Sequence, residues 1–324
     1  MITVYQSQHQ FSPEIITSSN ESAMSTALWI DLLNPTKQEE QLVEKLIGLD
    51  VPTREEMQEI ELSSRLYKEG DALFMTVTMV AKSDTTEPKS DAVTLILASN
   101  KLVTVRYIQP LSFALFTSHL AKLPDEFRNA PSLLIELLDA SIDRLADILE
   151  NLSRSLDDHS RTIFHPNKTD ASAVNPDYKL LLQEIGASGD LNTKVQESLM
   201  SFNRLMTFFG KKITPDDQDV HAKLTMLARD IKSLRDHVSF LSNKVIFLLD
   251  ATLGMVNIEQ NNIIKIFSIA AVALLPPTLI ASIYGMNFAY MPELNWKWGY
   301  PFSILLMIIA AWLPFKYFKS KKWL

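Results

Sequence analysis

The sequence predicts an α+β domain followed by long helices and a C-terminal two-helix transmembrane hairpin. Three observations carry this. β-branched runs separated by polar turns fill roughly the first 125 residues. From Pro131 onward, apolar residues recur at steps of three and four. Two uncharged apolar stretches lie close together at the C-terminal end. The resulting order is 1–130, an α/β domain; 131–213, an antiparallel helical pair; 214–288, a stalk helix continuing into the first span; 289–297, a connecting loop; 298–317, the second span; and 318–324, a basic tail.

In the first segment, Ala27-Leu28-Trp29-Ile30, Ala72–Val80, Ala92–Ala98 and Leu102–Tyr107 read as strands. The polar stretch from Asp84 to Ser90 and the triplet Ser99-Asn100-Lys101 read as the turns between them, giving hairpins. Asn34-Pro35-Thr36 ahead of a Glu/Leu-rich stretch reads as a helix start.

A helix is predicted from Pro131 to about Ile163, with Leu134, Leu138, Ile142, Leu145, Leu149 and Leu152 on one face. Pro166–Pro176 reads as a loop, and a second helix runs from about Asp177 to Phe209, weakened locally by Gly186 and Gly189. Thr214-Pro215-Asp216-Asp217 is a good start for the third: a capping threonine, proline at the first helical position and acids in the first turn. Leu224, Leu227, Ile231, Leu234, Val238, Leu241, Val245, Leu248, Thr252 and Met255 form its heptad seam. The plain reading is a bundle helix packed on its neighbours, which is compatible with continuation into a membrane.

Ile266–Met286 carries no charge and is long enough, at about 1.5 Å per residue, to cross a hydrocarbon core of roughly 30 Å. Pro276-Pro277 inside it predicts a kink or local unwinding. Trp298–Phe315 is the second span, with Trp298, Tyr300, Trp312 and Tyr317 as interfacial aromatics. Lys316, Lys319, Lys321 and Lys322 crowd the tail, against Lys297 alone in the loop. The positive-inside rule therefore places both termini in the cytoplasm and the loop after Asn287 outside.

Composition narrows the function classes. The net charge of -7 argues against nucleic-acid binding and suits attraction of cations. The absence of cysteine excludes disulfides and thiolate metal sites, and the six histidines are scattered. Neither a basic n-region nor an apolar core opens the sequence, so no signal peptide is expected. There is no glycine-rich nucleotide loop, no HExxH and no GxSxG, so an enzyme or an ATP-driven pump is not expected.

One face of the first span collects Asp250, Gly254, Asn257, Asn261, Ile264, Phe267 or Ser268, Ala271, Leu275, Thr278 and Ser282. Small residues there fit close helix packing, and the polar ones fit a wet pore; both readings stand on this pattern alone. Two spans cannot enclose a pore, so a channel requires a cyclic oligomer.

Tyr284-Gly285-Met286-Asn287-Phe288 resembles the Gly-Met-Asn signature of the CorA family of magnesium/cobalt transporters, particularly its enterobacterial branch. Met291-Pro292-Glu293-Leu294, Trp296, Trp298-Gly299-Tyr300-Pro301 and the terminal Lys321-Lys322-Trp323-Leu324 follow in the family's order. Asn257–Asn261 and Leu274–Thr278 resemble it as well, and Trp29-Ile30-Asp31-Leu32 is the clearest N-terminal echo.

The resemblance implies a bacterial inner-membrane homopentamer in the lipid bilayer, a channel with a funnel-shaped cytoplasmic domain and a pore-lining stalk helix, passing Mg2+ inward and also Co2+ and Ni2+. It implies a selectivity filter of Gly285, Met286 and Asn287, polar pore positions Asn261 and Thr278, an apolar constriction of Ile264, Phe267 and Leu275, and cation attraction by Glu293, which otherwise reads as a solvated loop acid; Ala271 and Ser282 join the pore face by their helical spacing. Regulatory Mg2+ would bind between subunits at Asp230 and Asp250, with Asp91 or Asp84 as the N-terminal partner. A zinc transporter of the same superfamily is the alternative, opposed by methionine rather than isoleucine at Met286. A membrane-anchored helical scaffold is the other, though it would not require the polar stripe.

Overall fold

The computed structural model describes residues 1–6, 11–17, 20–122, 129–165, 176–212, 218–287 and 291–321. They form two compact units, Met1–Leu249 and Asp250–Leu324.

The first unit is built on a seven-stranded sheet of order β2-β1-β3-β7-β6-β5-β4. Its strands are β1 (Ile2–Tyr5), β2 (Glu14–Ile15), β3 (Trp29–Leu33), β4 (Leu66–Glu69), β5 (Ala72–Ala81), β6 (Lys89–Ala98) and β7 (Lys101–Arg106). β3 and β7 run parallel and every other pairing is antiparallel. The hairpin expected at Ser99-Asn100 is present. Ala98 pairs with Lys101, and both turn residues have positive φ, 50° and 60°, which matches the twist of the flanking strands.

β3 begins two residues later than the sequence pattern placed it. Residues Ala23–Thr26 form a short helix, α1, and Ala27 caps it in extended geometry, so the strand starts at Trp29. β1, β2 and β4 were not anticipated. They lie toward the sheet's ends, and β4 is held by the turn at Gly70 (φ 57°) and by stacking of Tyr67 on Phe74 at 4.7 Å.

Alternation along β3 and β7 divides the sheet's faces. Ile30, Leu32, Val103 and Val105 join Val43 and Ile47 of α2 (Lys37–Ile47) and Met57 of α3 (Arg54–Met57) in one core. Thr36 starts α2 as expected, through a reciprocal capping box with Glu39, and Gly48 ends it in the left-handed conformation. A further short helix, α4 (Leu62–Arg65), precedes β4. Trp29 points the other way, toward Phe113 and Phe116 of α5 (Leu111–Leu120).

α6 (Ala130–Phe164) and α7 (Tyr178–Gly210) are the expected helical pair, capped by Asn129 and Asp177. The predicted loop between them falls almost wholly outside the described residues. α7 is unbroken at Gly186 and Gly189, because tertiary packing outweighs the propensity cost. It also covers the part of β5 beyond β4: Ser198 donates to the Thr78 carbonyl at 2.7 Å, and the Thr78 amide donates to Ser201 at 3.0 Å.

α8 (Gln218–Tyr284) is the 67-residue stalk helix. Its predicted start at Thr214-Pro215 lies outside the described residues. Of its seam, Leu224, Leu227, Ile231, Val238, Leu241, Val245 and Leu248 are buried and Leu234 is half-buried. Asn192 of α7 donates to the Val238 carbonyl and to Ser242, at 3.1 and 2.8 Å.

The second unit contains the end of α8, a 3-10 turn (Pro292–Asn295) and α9 (Gly299–Ser320). The helix runs through Pro276-Pro277 without interruption, so the local unwinding expected there does not occur.

Candidate functional site

The apolar end of α8 and the whole of α9 are long and apolar enough to cross a membrane. In each, only 6% of the most apolar window is buried within the chain. Side chains such as Phe267, Leu275 and Leu279 are 72%, 65% and 62% exposed. Lipid, or further copies of the chain, must cover so much apolar surface.

All seven expected pore positions, Asn261, Ile264, Phe267, Ala271, Leu275, Thr278 and Ser282, are exposed on α8. Their spacing keeps them on one face of a continuous helix. The Thr278 hydroxyl donates to the Leu274 carbonyl at 2.8 Å, which satisfies its proton and leaves its lone pairs outward.

The helix closes where the filter was expected. The Gly285 amide donates to the Ala281 carbonyl at 2.9 Å, and the Met286 amide to Ile283 at 3.2 Å. A Cβ on Gly285 would stand 3.2 Å from the Ala281 oxygen, so this turn favours glycine. Asn287 follows outside the helix and is exposed, and its amide makes no hydrogen bond among the described residues. Phe288 and the side chain of Glu293 lie outside the described residues, as do Lys322 and the rest of the tail beyond Lys321.

The expected regulatory acids lie on different elements. Asp250 and Asp230 are exposed on α8. Asp91 is gripped by Arg54 at 3.3 Å and approached by Gln58 at 3.5 Å; Asp84 meets Arg144 at 2.6 Å. The structure instead brings Asp230 within electrostatic reach of two α6 acids, Asp139 and Asp143, that the sequence pattern does not single out. Glu136, Asp139, Asp143 and Asp147 follow one another along α6 and line a cavity of about 430 Å³ with His119 and Arg144.

Burial, reinforced by Asp143, Glu136 and Asp230 against the opposing charge of Lys223, pushes the Asp139 carboxyl up to about 6. Burial, with Asp147 and Asp230, raises Asp143 too. Lys223 of α8 is ion-paired with Glu136 across the two helices. The spacing of three, four and four was available in the sequence; what it faced was not. Among the described residues, no three histidine, cysteine, aspartate or glutamate side chains converge closely enough to hold a metal ion. One chain therefore offers this region as a field of charge rather than a cage.

Comparison with known proteins agrees with this architecture. The family described as CorA-like Mg2+ transporter protein matches residues 25–321. The magnesium transport protein CorA of Yersinia pestis is 36% identical over 302 residues, 93% of each chain. That of Escherichia coli K12 is 36% identical over 299 residues, 92% of each. The complete CorA structure from Methanocaldococcus jannaschii superposes with a TM-score of 0.75, covering 100% of this chain and 99% of that one; at 18% identity, it bears on the fold alone.

Proposed function

This chain belongs to the family of CorA-like Mg2+ transporters, a family of membrane transporters and not of enzymes, and on that premise we propose that it forms an ion channel admitting hydrated Mg2+ to the cytoplasm. The observation that carries the reading is Asn287: an exposed amide with no hydrogen bond among the described residues, set immediately beyond an uncharged helical stretch long enough to span a bilayer.

The chemistry suits the cargo. Mg2+ gives up its water reluctantly and is bound by oxygen. A ring of neutral amides hydrogen-bonds the ion's hydration shell without stripping it, where a ring of carboxylates would hold it too tightly to conduct. Five copies of α8 around an axis, the homopentamer proposed here, supply that ring at Gly285-Met286-Asn287. Inside it, Thr278, Ser282 and Asn261 offer oxygens, Ala271 lines the same face, and Ile264, Phe267 and Leu275 form an apolar neck that gates by drying. Co2+ and Ni2+, similar in size and also hexahydrated, pass the same ring. Glu293 gathers cations at the outer mouth. The lysines at the end of α9 support an inner-membrane orientation with both termini cytoplasmic.

Gating rests on the acids. Asp139, Asp143 and Asp230 act on one another between α6 and α8, and Asp250, with Asp91 or Asp84, completes the set of acids in this reading. Cytoplasmic Mg2+ between subunits would screen them and favour a closed arrangement; when Mg2+ falls, their repulsion loosens it.

The test is Mg2+ uptake by liposomes carrying the purified full-length protein, read with an internal fluorescent indicator. Uptake down a gradient is expected, and Asn287→Ala should abolish it or its selectivity. Wild-type protein passing no Mg2+ would end the channel reading; Asn287→Ala with normal, selective flux would end the filter assignment.

A further inference from the structure

The exposed side chains of α9 form a stripe whose chemistry changes along its length. Leu305, Ile308, Trp312, Lys316 and Lys319 follow at steps of three and four, which places them on one helical face. Leu305, Ile308 and Trp312 are 54%, 59% and 53% exposed, and both lysines are exposed. The Lys316 ammonium folds back over the Trp312 ring, 4.8 Å from its centroid, in the direction that helical side chains take. α9 contains no acidic residue, and neither lysine has an ion-pair partner among the described residues.

The dimensions match one lipid monolayer. From Leu305 to Lys316 the helix rises about 16 Å, close to half of a hydrocarbon core of roughly 30 Å. A tryptophan between the apolar and cationic parts sits where indoles favour the membrane interface. A zwitterionic headgroup brings its own cation to the two lysines; an anionic one neutralises them.

We propose that this stripe is a binding site for one anionic phospholipid per subunit, its phosphate between Lys316 and Lys319 and an acyl chain along Leu305 and Ile308. The proposal rests on α9 spanning the membrane, which the transport reading shares, but not on ion conduction. Lys321 projects from the opposite side of the helix and is not part of the site.

The test equilibrates full-length protein in mixed micelles with equal phosphatidylglycerol and phosphatidylcholine, then counts retained lipids by native mass spectrometry. Wild-type protein should retain phosphatidylglycerol selectively. Lys316→Gln with Lys319→Gln should reduce the preference by roughly fivefold per lysine removed. The arginine pair should keep it, and Lys321→Gln should leave it intact. Equal retention of the two lipids by the wild type would overturn the proposal, as would a glutamine pair that keeps the preference. A loss in Lys321→Gln of roughly fivefold, the size expected per lysine of the site, would also overturn it, because diffuse attraction to a basic tail would then suffice. Should the glutamine pair not insert, the wild-type ratio and the Lys321→Gln comparison decide. No step reads Mg2+ flux, so failure of the transport reading is registered separately.

Discussion

Gly189 of α7 packs so closely on Val245 of α8 that a Cβ added to the glycine would stand 3.2 Å from the valine Cγ1. Sequence propensity marks this glycine as a weak point in a helix; packing makes it the place where the stalk is drawn in. A leucine there has no room. Gly189→Leu should destabilise the protein by about 1–3 kcal/mol through overpacking, read as a lower thermal midpoint in detergent. Gly186, whose added Cβ would meet nothing within 4 Å, should accept alanine without loss of stability.

The Asp31 carboxylate is held in the sheet's interior by Arg106 at 2.7 Å and by the Thr104 hydroxyl at 2.6 Å; Thr104 in turn accepts from the Trp29 indole at 3.0 Å. Removing the acid leaves a buried guanidinium uncompensated. Asp31→Ala should cost about 3–5 kcal/mol, measured by chemical denaturation followed by tryptophan fluorescence. Replacing the pair by apolar residues of similar volume should cost far less.

The acid seam gives a pH dependence of definite sign. Asp139 is raised from 3.8 to about 6 in the folded chain, so folding favours its protonated form. The stability this contributes is complete below about pH 3.8 and is lost as pH rises through about 6. Asp139→Asn should therefore raise the thermal midpoint at pH 7.5 and flatten its dependence on pH between those values. Added Mg2+ should raise the wild-type midpoint more than that of the variant.

Much of this could be read from residue order, and the rest failed for identifiable reasons. The uncharged run after Lys265 and the seam from Leu224 to Leu248 announce themselves by period and length. Ser99-Asn100 declares a turn because asparagine tolerates positive φ. β1 and β2 left no such mark, because short strands near a sheet's edge carry too few alternations to stand out. The acids proposed to bind regulatory Mg2+ are the least legible in the sequence. An aspartate beside a predicted turn, such as Asp91, looks available in sequence, yet it lies in β6 and Arg54, 37 residues earlier, engages it. Conversely, nothing local to Asp230 reveals that its charge acts on Asp139 and Asp143 of α6; only the tertiary arrangement of the two helices does.

The central claim is that the face of α8 bearing Thr278 lines a water-filled route for Mg2+. The chain has no cysteine, so Thr278→Cys introduces a unique thiol. The most direct measurement is Mg2+ uptake by proteoliposomes of this variant before and after a cationic, membrane-impermeant thiosulfonate reagent, with Leu279→Cys as the neighbouring control. Rapid block of uptake at position 278 and none at 279 is the predicted result. A position-278 thiol that is fully modified while uptake continues unchanged, or that is never reached while Mg2+ flows, would contradict it.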